Sequence, residues 1–122
     1  MKFLWTTIVV KDLEESLRFY KEIVGLKEHR RFNAGPGAEI AFLGDGETEV
    51  ELMTNSQKKE VSYGADISLG FEVEDLEKCM DNLKERGIEI VSGPISPNPS
   101  VRFIFVHDPN GLRIQFVENA KK

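Results

Sequence analysis

The sequence predicts an α+β protein: two repeated β-α-β-β-β modules forming a curved mixed sheet around a cleft, with the helices outside. Three observations predict it. Two helical stretches, each with one apolar stripe, are separated by groups of short runs rich in β-formers. Each helix opens at an aspartate and stops at a glycine. The two halves also match: "VVKDLEESL" (9–17) lies on "EVEDLEKCM" (72–80), and "EVELM" (49–53) lies on "RIQFV" (113–117). A helix and a four-stranded sheet cannot finish a core alone. The chain is therefore read as one domain over 1–122, with module one about 1–62 and module two about 63–122.

The elements follow in order. "KFLWTTIVV" (2–10) is β-branched and aromatic, hence a strand. Asp12 is an N-cap, with Glu15 three residues on as its capping-box partner. Leu13, Leu17, Tyr20 and Val24 make the apolar stripe of a helix that Gly25 ends. "LKEHRRFN", "AEIAFLG" and "TEVELMT" are strands, joined by turns at "NAGPG" and "GDGE". In the second half "DISLGFEV" (66–73) is a strand, 74–86 a helix and Gly87 its stop. "IEIVSG", "VRFIFVH" and "LRIQFVE" are the remaining strands, and the Pro-rich "GPISPNPS" (93–100) is read as a loop. Asp-Pro-Asn-Gly at 108–111 has the composition of a type I turn.

Bulk properties narrow the function. The chain has 122 residues, enough for one ordinary domain. A net charge of −5 disfavours nucleic acid, whose phosphates reward clustered Lys and Arg. No stretch approaches the ~20 apolar residues that cross a bilayer, so no membrane partner is expected. The apolar run at the N-terminus is short and interrupted by Asp12, unlike a signal peptide, and a cytoplasmic protein is expected. The one cysteine, Cys79, sits at an apolar helix position and reads as an inert thiol. His29 and His107 read as solvated or locally hydrogen-bonded. No nucleophile elbow and no phosphate-binding glycine loop is present.

Two segments, "IVVKDLEESLRFYKEIVGLK" (8–27) and "HDPNGLRIQFVE" (107–118), together with the repeat, carry a family resemblance. The chain resembles the vicinal oxygen chelate superfamily: glyoxalase I, bleomycin-resistance proteins, fosfomycin-resistance enzymes and extradiol dioxygenases. In metal-using members four side chains hold one divalent ion, typically His, Glu, His and Glu. The resemblance places those four positions at Trp5, Glu51, Ser68 and Gln115. Indole has no lone pair to give, and Ser and Gln are weak neutral ligands. The resemblance thus implies a member with degenerate ligand positions, a small-molecule ligand, a homodimer and no obligatory cofactor. A divalent cation held by Glu51, Asp66 and Gln115 is the alternative.

Strand alternation assigns the faces. Phe3, Trp5, Thr7 and Val9, Glu49, Glu51 and Met53, Asp66, Ser68 and Gly70, and Arg113, Gln115 and Val117 face the cleft. Leu4, Ile8, Val50, Leu52, Ile67, Leu69, Phe71, Ile114 and Phe116 face the helices. The cleft side is a mixture suited to an organic ligand, with Glu51 as a possible general base and Arg113 and Gln115 as groups that steady an oxyanion. The same residues also read as structural: Glu51 paired with Arg113, and Trp5 filling space. Three functions stay open. They are binding of a small organic molecule without a metal, a metal-dependent lyase or isomerase, and a non-catalytic interaction module.

Overall fold

The computed structural model describes residues 1–55 and 60–120. The chain divides into two units, Met1–Ser62 and Tyr63–Lys122. In the first, strand β1 (Trp5–Val9) leads to helix α1 (Leu13–Arg18), followed by β2 (Glu28–Asn33), β3 (Glu39–Leu43) and β4 (Glu49–Met53). Its sheet runs β1-β4-β3-β2, with β1 and β4 parallel and the other pairs antiparallel. In the second, β5 (Ser68–Glu72) leads to α2 (Leu76–Glu85), β6 (Ser92–Asn98), β7 (Val101–His107) and β8 (Arg113–Asn119). Its sheet repeats the pattern as β5-β8-β7-β6, with β5 and β8 parallel. The expected class is therefore observed, as two four-stranded mixed sheets.

Both helices start as their sequences dictate. Asp12 accepts a hydrogen bond from the Glu15 backbone N–H at 3.1 Å, and Asp75 accepts one from that of Lys78 at 3.1 Å. Gly25 and Gly87 end the helical segments at φ of 88° and 73°, where a side chain would strain the backbone. The first module holds one residue more between its capping aspartate and its stop glycine than the second does. The structure shows where that residue goes. After Arg18 the helix widens into a π-turn over Phe19–Ile23, in which the Val24 N–H donates to the Phe19 carbonyl at 3.2 Å. Tyr20 stays fully buried through the widened turn.

One face of each sheet is sealed by its helix. Ile8, Leu43, Val50 and Leu52 are buried with Leu13, Leu17 and Tyr20 of the first helical segment. Ile104, Val106, Ile114 and Phe116 are buried with Leu76 and Leu83 of α2. Each such side chain contributes about 1.5–3 kcal/mol to stability. Ion pairs from matching helix positions, Glu14 and Glu77, tie each helix to its sheet. Arg31 pairs with Glu14 and, at 2.9 Å, with Glu39. Arg102 pairs with Glu77 at 3.2 Å and with Glu118 at 3.3 Å. Glu118 also accepts from the Leu76 N–H at 2.8 Å, so its carboxylate caps α2 from β8.

Several expectations are corrected. The strand expected at 88–93 lies later: β6 is Ser92–Asn98 and takes in most of the Pro-rich stretch read as a loop. It is an edge strand, paired with β7 only at intervals, at Ser92–Phe105, Ile95–Phe103 and Asn98–Val101. An edge strand tolerates prolines because half its donors point to solvent. Strand β1 begins at Trp5, so Phe3 and Leu4 precede it, and Leu4 is exposed instead of buried under the helix. Strand β5 begins at Ser68. Ile67 is 59% exposed, and Asp66 lies in the bend before the strand, outside the alternation expected to put it on the face of Ser68.

The turn at 108–111 forms, with the Gly111 N–H donating to the Asp108 carbonyl at 3.0 Å. Buried Asp108 Oδ1 accepts from the N–H groups of Asn110 and Leu112 at 2.8 and 2.9 Å. Burial, and then the charge of Asp108, push the Tyr63 phenol up to about 12. Folding thus favours the protonated phenol. The stability this contributes is complete below the ordinary phenol value of about 10 and is lost as the pH rises toward 12. Tyrosinate absorbance should show a late step that Tyr63→Phe removes. Asp108→Asn should lower that step without bringing it to the ordinary value, since burial is the larger cause.

Candidate functional site

The unsealed face of the first sheet is built by register. Trp5 lies beside Glu49, Thr7 beside Glu51 and Val9 beside Met53 across the parallel β1–β4 pair. Phe42 lies beside Glu51, and Ile40 beside Met53, across β3–β4. Arg30 lies beside Phe42, and Phe32 beside Ile40, across β2–β3. Alternation sends all of these to the side away from the helix. Phe42 is the floor, 2% exposed. The Trp5 ring meets it edge-on at 5.2 Å, Phe32 stacks near it at 6.3 Å, and the Arg30 guanidinium sits 4.0 Å above it. Trp5 and Phe32 keep 41% and 44% of their surfaces exposed.

Two carboxylates stand among these rings. Glu51 is 9% exposed and accepts a short hydrogen bond from the Thr7 hydroxyl. Glu49 approaches His29, with Nδ1 2.7 Å from Oε2. That approach is close enough for an ion pair, but the ring N–H is not aligned along it. Oε2, sealed from solvent, has no hydrogen-bond donor among the described residues. Sequence reasoning read His29 as solvated or locally hydrogen-bonded, and its side chain is 44% exposed beside Glu49. That reasoning missed that β2 slips register between Glu28 and Arg30, which makes His29 the extra residue of a bulge. Without the bulge His29 and Arg30 would point to opposite faces. With it both reach Phe42, the imidazole at 6.4 Å. No signal in "KEHRRF" marks a bulge.

The second sheet repeats the plan with different chemistry. Ser68 lies beside Arg113, and Gly70 beside Gln115, across β5–β8. Phe105 lies beside Gln115, and His107 beside Arg113, across β7–β8. The Arg113 guanidinium sits 4.1 Å above the Phe105 ring, which holds the place in this module that Phe42 holds in the first. A Cβ at Gly70 would come within 3.1 Å of Gln115 Oε1, so the absence of a side chain there leaves room for the amide. His107 is exposed. Cys79 is half-buried on α2, where burial raises its thiol pKa and disfavours the thiolate.

The donor set that the resemblance assigns has the wrong chemistry for a divalent ion. Trp5 offers only an N–H, Ser68 and Gln115 offer neutral oxygens, and Glu51, the one charged ligand, is already engaged by Thr7. Among the described residues no three His, Cys, Asp or Glu side chains gather as a metal site. The alternative set fares no better, because Asp66 lies off the strand that was to present it.

The Thr7–Glu51 bond is open to a direct test. Thr7→Val keeps the shape and removes the donor, leaving a nearly buried carboxylate short of a partner. We expect a loss of about 1–3 kcal/mol in urea unfolding. Thr7→Ser should restore most of it.

Comparison with known proteins agrees with this architecture. The chain is 32% identical to the lactoylglutathione lyase of Neisseria meningitidis over 126 residues, covering 97% of this chain and 91% of that protein. It is 34% identical to a probable lactoylglutathione lyase of Synechocystis over 132 residues, covering 100% and 98%. It also matches the solved structure of the trypanothione-dependent glyoxalase I of Leishmania major. That match has a TM-score of 0.83 and 26% identity, covering 97% of this chain and 86% of that one. The family model of the Glyoxalase/Bleomycin resistance protein/Dioxygenase superfamily matches residues 2–116. The chain belongs to that superfamily.

Proposed function

We propose that this chain binds a small organic molecule against the unsealed face of module one without an obligatory metal. One observation carries the reading. A nearly buried carboxylate, Glu51, lies across the strands from Phe42, the covered phenylalanine that a tryptophan with 41% of its surface exposed meets edge-on. An aromatic wall with a few fixed polar groups is how small-molecule sites are built. Trp5 supplies the wall, Thr7 holds Glu51, and Glu49 and Met53 extend the same face. Glu51 is the candidate general base. Ser68, Arg113 and Gln115 are the candidate ligand contacts of module two, and Asp66 is set aside as a ligand-binding residue because of its place in the bend. We place the protein in the cytoplasm as a homodimer. A single half-buried thiol suits a reducing compartment. No helix among the described residues is long and apolar enough to cross a membrane.

A second reading is a divalent-metal lyase or isomerase using Glu51, Asp66 and Gln115. The lactoylglutathione lyases at 32–34% identity favour it, and the donor chemistry opposes it.

Trp5 is the one tryptophan of the chain, so its fluorescence reports on the site. Chelator-stripped protein should be loaded with Ni²⁺, Zn²⁺, Mn²⁺ and Mg²⁺ in turn, gel-filtered, and assayed for bound ions. A panel of aromatic molecules should then be titrated against the fluorescence of the stripped and loaded forms. We expect substoichiometric metal and ligand affinities indifferent to loading. Glu51→Gln should weaken binding about tenfold, as loss of a charged hydrogen-bond acceptor does. Near-stoichiometric metal that disappears in Glu51→Ala would put the lyase reading first.

A further inference from the structure

We infer that His29 and Glu49 form a proton-accepting pair on this face, and that the site takes aromatic ligands bearing a weakly acidic hydroxyl and holds them as the oxyanion. The inference rests on the binding function proposed above and names the class of ligand.

Four observations converge. First, a bulge in β2 turns His29 onto the face of Arg30 and Phe42. Bulges of this kind re-aim side chains beside sites. Second, His29 Nδ1 lies 2.7 Å from Glu49 Oε2, an oxygen sealed from solvent and without a hydrogen-bond donor among the described residues. A carboxylate beside Nδ1 favours the tautomer with its proton there, which leaves the Nε2 lone pair free to accept. Third, Arg30 carries a full positive charge on the same floor, 4.0 Å from the Phe42 ring, and joins no carboxylate in the ion pairs of the described residues. Fourth, the Trp5 indole and the His29 imidazole both lie against Phe42, at 5.2 and 6.4 Å, so a ring resting on the exposed indole shares its floor with the imidazole.

The chemistry balances without a further reactant. The ligand's O–H bond breaks and its electron pair stays on oxygen. The proton bonds to Nε2 of His29. The resulting imidazolium turns its Nδ1 proton toward Glu49, whose charge steadies it, and the oxyanion is steadied by Arg30. A ligand hydrogen bond at Nε2 also gives the imidazole a reason to turn into line with Oε2. Catalytic hydrogen bonds are commonly misaligned before the ligand arrives. His29 is the group that touches the ligand, and Glu49 is a positioning residue.

The test uses metal-free full-length protein and 4-nitrophenol, whose neutral and ionised forms differ in colour. Equilibrium dialysis measures occupancy, and absorbance measures ionisation of the bound probe at a pH where the free probe is mainly neutral. We expect bound probe to be ionised. His29→Gln, which hydrogen-bonds but takes no proton, should lower the ionised fraction about tenfold at equal occupancy, in keeping with loss of a charge-assisted bond. Glu49→Gln should lower it in the same direction, and Trp5→Ala should reduce occupancy itself. Bound probe that stays neutral, or stays ionised in His29→Gln, overturns the pair while leaving the binding function intact. Failure of 4-nitrophenol to bind while other aromatic molecules quench Trp5 overturns the ligand class. Failure of every aromatic molecule to quench Trp5 removes the binding function and this inference with it.

Discussion

A single helix can seal only one face of a four-stranded sheet, and the rest of this structure follows from that constraint. Strand alternation sorts the residues: Val50 and Leu52 go under the helix, while Glu49, Glu51 and Met53 go to the other side. The apolar side is stable enough to hold its partner in register. That register places Thr7 against Glu51 and Trp5 against Glu49. The polar and aromatic cluster is positioned by that register, and its floor, Phe42, is itself buried. Substitutions at its exposed members, such as Trp5 and Phe32, can change chemistry with little effect on the packing under the helix.

The two modules show how far such changes have gone. Their sealed faces remain alike in kind, aliphatic in module one and aliphatic with Phe116 in module two, each against leucines of its helix. Their open faces differ in charge: Glu49 and Glu51 in one hold the places of Arg113 and Gln115 in the other. Both keep a phenylalanine at the centre, Phe42 and Phe105, with a guanidinium 4.0 and 4.1 Å above it. In the second module that cation stands on β8, in the first on β2. A similar stacked arrangement is thus reached from different strands. The stacking depends on the ring at the centre more than on the strand that supplies the cation.

Much of the fold was legible because it rests on local signals that add. The capping aspartates, the stop glycines, the alternation of "EVELM" and "RIQFV" and the match between halves all point one way. What escaped was decided by partners. Strand β6 forms through a proline-rich stretch because β7 offers it an edge, and no local propensity announces that. Leu4 and Ile67 read as core by period, yet they stand just outside strands that begin one residue later. At the site, Trp5, Thr7, Glu49, Glu51 and Met53 could be placed on one face from alternation alone. His29 and Arg30 could not, since a bulge breaks the rule by which faces are read. The floor of the site, Phe42, was passed over because it lies in an almost continuously apolar strand, where neither face stands out.

The π-turn at Phe19–Ile23 has a consequence for the history of the chain. An extra residue in a helix would rotate everything after it by about 100°, carrying a buried stripe out of the core. Here the surplus is taken up in one widened turn, and both ends of the helix keep their bearings. The halves have thus diverged in length within the helical segment and not only in the loop that follows it. A chain assembled from two copies of module two would lack this signature. The widened turn therefore distinguishes the first half from the second by backbone alone, whatever becomes of their side chains.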